Sequence, residues 1–296
     1  MNSEESHKWK SAGKLARRAL DYGKSLIRED ALMLEVTEKI EKYIIEEGGE
    51  LAFPTNLAVN NVGAHWTPSS KSEEKFVKGD VVKLDVGVHI DGYIGDNALT
   101  LEIKTQKYKK MIQASRDSLN AAVEVAAPGV SAGMIGNVVQ DVIEGYGFKP
   151  ISNLTGHGIK RYNLHSGISI PSVREVGGAV LKKGDVIAIE PFVTDGAGRV
   201  GGKRNSNIYH LKQIRKIRNE NANQLIGQIQ NRFKGLPFAE RWINNIQEDS
   251  EKLLKGLMRA GVVSYYPVLD ELGKGIVAQS EHTIMITNTG AEVLTK

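Results

Sequence analysis

The chain has 296 residues, about twice a usual domain of ~150, and its 41% hydrophobic and 25% charged residues predict a folded core and exclude collagen-like sequence. It contains no cysteine, which rules out disulfides, thiolate nucleophiles and Cys-type zinc sites, so any metal must rest on His, Asp and Glu. The net charge of +4 is too small to argue for nucleic acid, no run approaches the roughly 18 apolar residues of a membrane helix, and the start MNSEESHKWK has charges where a signal peptide is apolar, so a cytoplasmic protein with no membrane contact is expected.

From about Ser6 to Leu26, Leu15, Ala16, Ala19 and Leu20 recur at helical spacing, and from Leu32 to Glu47 the apolar positions are Leu32, Val36, Ile40 and Ile44. Two amphipathic helices follow from this, the second stopped by Gly48-Gly49. The stretch ELAFPTNLAVNNVGAH reads as extended chain with turns. Lys78-Gly79-Asp80 is a turn, Val81 to Ile90 is rich in β-branched residues, and Asp91-Gly92 is a two-residue hairpin signal, so a β-hairpin is expected. Gln106 to Ala127 has a helical pattern ending at Pro128-Gly129, and Ser131 can cap a further helix that runs to Glu144.

LKKGDVIAIEPF then repeats FVKGDVVKLDVG, with Glu190 falling opposite Asp85. A helix, helix, strand unit occurring twice implies an α+β fold with pseudo-two-fold halves in a single domain spanning residues 1–296. Between the second repeat and the last strand, roughly Asp195 to Asp270, lies an insertion. Its apolar sets, Leu225, Ile226, Ile229 and Phe233, then Leu253, Leu254, Leu257 and Met258, predict a small helical subdomain. Residues Lys203 to Ala260 carry 12 Lys and Arg against 5 Asp and Glu, so the basic character of the chain belongs to this insertion.

With Asp91-Gly92 as the turn, Asp85 faces Ala98 and Asp96 faces Gly87, which sets the two carboxylates diagonally on one sheet face at roughly 7 Å. The strand of Asp85, Val81 to Ile90, is apolar on both faces, where an unpaired carboxylate is costly. NLTGHGIKRYNLHSGISIP carries His157 and His165 among glycines, Glu190 follows the strand Val186 to Ile189, Glu281 heads an apolar strand, and His65 precedes Trp66. Each is weak alone. Together they form the oxygen-rich set that suits a pair of divalent ions.

The stretches LAFPTNLAVNNVGAHWTP, KLDVGVHIDGYIGDNALT, NLTGHGIKRYNLHSGISIP, IAIEPFVTDG and AQSEHTIMIT line up in order with the signatures of type II methionine aminopeptidases. The chain resembles that pita-bread family over essentially its whole length, in the short archaeal-like form. The resemblance implies that Asp85, Asp96, His157, Glu190 and Glu281 hold two divalent metal ions per chain (Co, Mn, Fe, Zn or Ni). Asp96 and Glu281 would bridge the pair, and Glu190 would also shuttle a proton. It implies that His65 and His165 contact substrate or assist proton transfer, with His65 the residue alkylated by fumagillin-type epoxides. Phe53, Leu164, His165, Phe192, Ile208 and Tyr266 would line the methionine pocket. The expected activity is removal of N-terminal methionine from nascent chains and peptides with a small second residue, by a monomer whose basic insertion contacts the ribosome.

Three other readings fit parts of the sequence. A Xaa-Pro aminopeptidase would use the same five ligands but normally has an additional N-terminal domain. A non-catalytic pita-bread protein that binds RNA or ribosomes would have eroded ligands, and all five ligand types are present. A winged-helix-like DNA reader in the insertion lacks an independent linker.

Overall fold

The computed structural model describes residues 2–244, 246–247 and 249–296. The first half comprises helices α1 (Ser3–Leu26) and α2 (Met33–Glu46), short strands β1 (Glu50–Leu51), β2 (Asn56–Val59) and β3 (Val62–Ala64), and the hairpin β4 (Val81–Ile90) and β5 (Tyr93–Glu102). The second half runs through α3 (Lys109–Val125), α4 (Ala132–Gly145), β6 (Lys149–Pro150), β7 (Thr155–Gly158), β8 (Ser169–Pro171), β9 (Val186–Ile189) and β10 (Phe192–Thr194). After these come β11 (Val200–Gly201), β12 (Asn205–Leu211), α5 (Glu220–Phe233), β13 (Phe238–Ala239), α6 (Glu240–Ile243), α7 (Ser250–Arg259), β14 (Val263–Pro267) and β15 (Leu269–Glu271). The chain returns through β16 (Val277–Gln279), β17 (His282–Ile286) and β18 (Ala291–Val293).

Local chemistry explains the boundaries. Asn2 caps α1 through a capping box with Glu5, and Ser131 accepts from the Met134 N–H at the start of α4. Gly48, at φ +82°, turns the chain after α2 where a side chain would be strained. The apolar stripes of α1 and α2 close over β4 around Leu15, Leu20, Ile40, Ile44, Leu84 and Val86, and those of α3 and α4 close over β9 around Met111, Leu119, Ile135, Ile187 and Ile189. A third cluster, including Trp9, Phe53, Ile94, Leu164, Ala188 and Met285, fills the space between the halves. No helix among the described residues is long and apolar enough to cross a membrane.

The repeat seen in the sequence is a repeat in the sheets. In the first half β4 and β5 pair without interruption. In the second, β9 pairs β17 and β10 pairs β16 in one continuous register, from Ile189 opposite His282 to Phe192 opposite Gln279. The ladder is interrupted only at Glu190-Pro191 and Ser280-Glu281, where Pro191 has no N–H to donate. The two ladders meet along β5, and they do so symmetrically. Thr283 Oγ1 accepts from the Asp96 N–H at 2.8 Å and donates to the Asp96 carbonyl at 2.8 Å. Thr100 Oγ1 accepts from the Gln279 N–H at 2.7 Å and donates to the Gln279 carbonyl at 2.7 Å.

The insertion differs from the helical subdomain expected from its sequence. Besides α5 and α7, it contains a three-stranded antiparallel sheet in the order β13-β12-β14. These strands pair across about thirty to fifty-six residues, as Tyr209 with Phe238 and with Tyr265 shows, so no local turn announces them. Their own core includes Leu225, Ile229, Phe233, Phe238, Leu254 and Leu257. The insertion docks on α2 through the buried Arg241–Glu41 ion pair, with Trp242 Nε1 donating to Glu41 at 2.8 Å. Lys212, Arg215, Lys216 and Arg218 are exposed.

Candidate metal centre

Two carboxylates come from each ladder. Asp85 in β4 lies opposite Ala98, and Asp96 in β5 lies opposite Gly87, the register the hairpin turn dictates. Glu190 leaves β9 and Glu281 enters β17 at positions that face one another across the interruption. His157 sits on β7 opposite Ala188 and presents Nε2 to both ladders, 3.5 Å from Glu190 Oε1 and 3.7 Å from Asp96 Oδ2. Ligand atoms of Asp96, His157 and Glu281 all lie within 4.8 Å of one another. The five proposed ligands line one cavity of about 70 Å³ together with His65 and His165.

The electrostatics of this cavity suit a cation. Burial, reinforced by the neighbouring carboxylates, pushes Asp96, Glu190 and Glu281 far above the usual carboxylate range, and burial raises Asp85 to about 7. No Lys or Arg lines the cavity among the described residues. Two like charges 4 Å apart repel by about 4 kcal/mol at an effective dielectric constant of 20, so four ionised carboxylates cannot be held here without positive charge between them. Asp85 Oδ1 and Asp96 Oδ1 are buried with no hydrogen-bond partner among the described residues. Burial, followed by the charge of His165, depresses His157 to about 3, which keeps its imidazole neutral and able to ligate. Carboxylate oxygens with one imidazole fit divalent ions of the Mn, Fe, Co or Zn type.

His65 follows β3 and is held at φ +58°. Burial and the charge of His165 depress it to about 4, so it too is neutral at physiological pH. Its ring lies 5.3 Å from that of Tyr266, while the His165 ring packs 4.4 Å from that of His157. The loop that carries Leu164 and His165 is fastened to the hairpin turn: Arg161 Nε donates to the Asp91 carbonyl at 2.8 Å, and the Tyr162 N–H donates to the Gly92 carbonyl at 2.9 Å. Tyr162 adopts φ +53°, a conformation that costs of order 1–3 kcal/mol for a bulky residue. Its hydroxyl donates to Asp91 Oδ1 at 3.3 Å and accepts from Lys234 Nζ of the insertion at 3.0 Å.

The apolar wall is assembled from distant segments. Phe53, Leu164, Ile208 and Tyr266 all border the cavity, the last two supplied by β12 and β14 of the insertion. Phe192 is placed elsewhere: it is buried against Ile151, Val200 and Val277 and does not border the cavity. Asn56 and Pro237 border it and were not singled out from the sequence. Asn56 pairs with Asp85 across β2 and β4, a non-local register that composition does not signal. Gln279, whose Nε2 lies within hydrogen-bond distance of Glu190 and Glu281, could have been found by extending the internal repeat to the returning strand.

Two pseudo-two-fold halves with a buried carboxylate–imidazole cluster between them define a class, the metalloproteins of the pita-bread fold. The chain belongs to metallopeptidase family M24, whose model matches residues 7–288. It is 44% identical over 297 residues to methionine aminopeptidase of Methanocaldococcus jannaschii, covering 100% of both chains. It is 41% identical to methionine aminopeptidase of Archaeoglobus fulgidus over 296 residues, again covering 100% of both. Among solved structures, methionine aminopeptidase from Thermotoga maritima matches with a TM-score of 0.74 at 25% identity, over 100% of this chain and 98% of that one.

Proposed function

We propose that this protein is a type II methionine aminopeptidase of the short form, which removes the N-terminal methionine from nascent chains and peptides with a small second residue in the cytoplasm. The observation that carries the reading is full-length identity of 44% to a methionine aminopeptidase, joined to a cavity in which four buried carboxylates and an imidazole converge. Asp85, Asp96, His157, Glu190 and Glu281 are the residues that would hold two divalent ions. The chemistry such a pair supplies is Lewis acidity towards a peptide carbonyl and ionisation of water near neutral pH.

The chain's own residues do the rest. The wall of Phe53, Leu164, Ile208 and Tyr266 takes up the methionine side chain and excludes water from it. Glu190 carries the proton from the attacking water to the leaving amine, a role its place on the cavity wall beside the other acids suits. His65 and His165, on the cavity wall beside the carboxylates, donate to the developing oxyanion. Cleavage of Met-Ala-Ser but not Ala-Pro peptides, with two ions per chain by metal analysis, tests the assignment. Preferential cleavage of the Ala-Pro peptide would overturn it in favour of a Xaa-Pro aminopeptidase.

Lys212, Arg215, Lys216 and Arg218 project from the insertion and support docking to ribosomal RNA phosphate, where nascent substrates emerge. Changing all four to Gln should abolish salt-sensitive co-sedimentation with ribosomes and leave peptide cleavage in free solution unaltered. Retained co-sedimentation would reject the docking.

A further inference from the structure

Gln279 ends β16, two residues before Glu281 on the same face of the strand and diagonal to Glu190 across the interrupted ladder. It is 2% exposed. Its main chain is gripped on both sides by the Thr100 hydroxyl, so the side chain projects from a fixed base. Nε2 lies 3.4 Å from Glu190 Oε2 and 3.3 Å from Glu281 Oε2. A carboxylate that has lost its proton only accepts hydrogen bonds, and an amide NH2 has two hydrogens to donate. One amide therefore serves both acids at once.

The symmetry of the fold adds a second observation. Thr100 holds Gln279 just as Thr283 holds Asp96, so Gln279 occupies the pseudo-two-fold counterpart of the Asp96 position. A carboxylate there would be a fifth acid in the cluster. The amide keeps the count at four, which two dications neutralise, and replaces a repulsion with two donated hydrogen bonds.

We propose that Gln279 is a positioning residue: it ties Glu190 to Glu281 across the break in the ladder and fixes which oxygens of the two acids remain free to face the metal pair. This inference rests on the metal-centre reading above. By turning the two acids into a preset jaw, Gln279 governs how tightly the ions are held and in what geometry, without touching substrate itself.

The test is titration of the metal-free, full-length protein with Co(II), read by calorimetry and by the visible absorption of the bound ion. The variants are Gln279→Met, of similar shape but without the amide, and Gln279→Asn, whose shorter amide cannot span both acids. In both, the weaker Co(II) equivalent should bind about 10–100-fold less tightly with a changed visible spectrum, the size expected when a group that orients a metal ligand is lost. Should Gln279→Met fail to fold, Gln279→Asn decides. A purely structural role would lower the melting temperature of the metal-free variants and leave Co(II) affinity and spectrum as in the parent, and that result would overturn the proposal. A parent protein that binds no Co(II) would instead refute the metal-centre reading, and this inference with it.

Discussion

The hairpin β4–β5 and the split ladder of β9 and β10 with β16 and β17 each present two acids to the same cavity, but they are put together differently. The first is local: Asp91-Gly92 closes it, and the ladder register of ten residue pairs places Asp85 and Asp96 on one face. The second is closed only after the chain has passed through the insertion, and it breaks where its acids stand, at Glu190-Pro191 and Ser280-Glu281. An uninterrupted ladder commits its backbone groups to one another, whereas the break frees Glu190 and Glu281 to turn towards their neighbours. The local half gives the site its rigid wall. The split half gives it Glu190 and Glu281, and the insertion, through β12 and β14, adds Ile208 and Tyr266 to the apolar side of the cavity.

The strongest way to probe this division is to remove one acid from each ladder. Asp96→Asn and Glu281→Gln should each lower turnover on the order of 10³-fold, the upper range for losing one electrostatic contact in an active site, with fewer than two ions retained by metal analysis. Full turnover with two ions in either variant would break the equivalence of the ladders. Next in size is a matched pair at the seam. Thr100→Val and Thr283→Val each delete one bridging hydroxyl and leave a buried main-chain N–H without its acceptor, a loss of about 1–3 kcal/mol. Equal falls in melting temperature of the metal-free variants would show that the halves are energetically as well as geometrically paired.

A turn substitution separates the halves. Gly92 has φ +84°, and a Cβ there would meet the Tyr162 ring at 2.4 Å. Gly92→Ala should therefore destabilise the protein by about 1–3 kcal/mol and slow turnover through the displaced His165 loop, while the ions stay bound. Loss of both ions would mean that the turn supports more than the local ladder. The last test is the pH dependence of the metal-free protein. Asp85 stands at about 7 when folded against an ordinary 3.8, because burial favours its protonated form. A raised acid contributes stability that is complete below 3.8 and is lost as pH rises through 7. Asp96, Glu190 and Glu281, raised further by burial, add to that loss, so the melting temperature of the metal-free protein should fall by at least a few °C between pH 6 and 8, and divalent ions should remove that fall. An unchanged melting temperature without metal would mean that Asp85 is solvated rather than buried.

Much of the site could be read from the chain because it is coded locally. The repeated KGDV turns, the β-branched run and the Asp91-Gly92 signal together specify the hairpin, and a period-two strand then forces Asp85 and Asp96 onto one face. The same logic marked Glu190 through its repeat position and bounded α1 to α4, each observed within a few residues of the expected range. The strands of the insertion escaped because they find their partners far along the chain. Phe192 was expected at the cavity by resemblance and lies instead with Ile151, Val200 and Val277, since an apolar side chain carries no sign of which buried space it fills.

Sequence therefore decided the two-fold plan, the local ladder and the kinds of ligand available, because turn chemistry and side-chain period act over a few residues. Folding in three dimensions decided the rest. It brought Glu190 beside Glu281 from opposite sides of the insertion, set Gln279 between them at the place where symmetry calls for an acid, and held Tyr162 in a strained turn so that His165 faces the cavity. These placements depend on pairing across long stretches of chain, where the geometry of a contact is fixed by everything that packs around it and not by the residues that flank it.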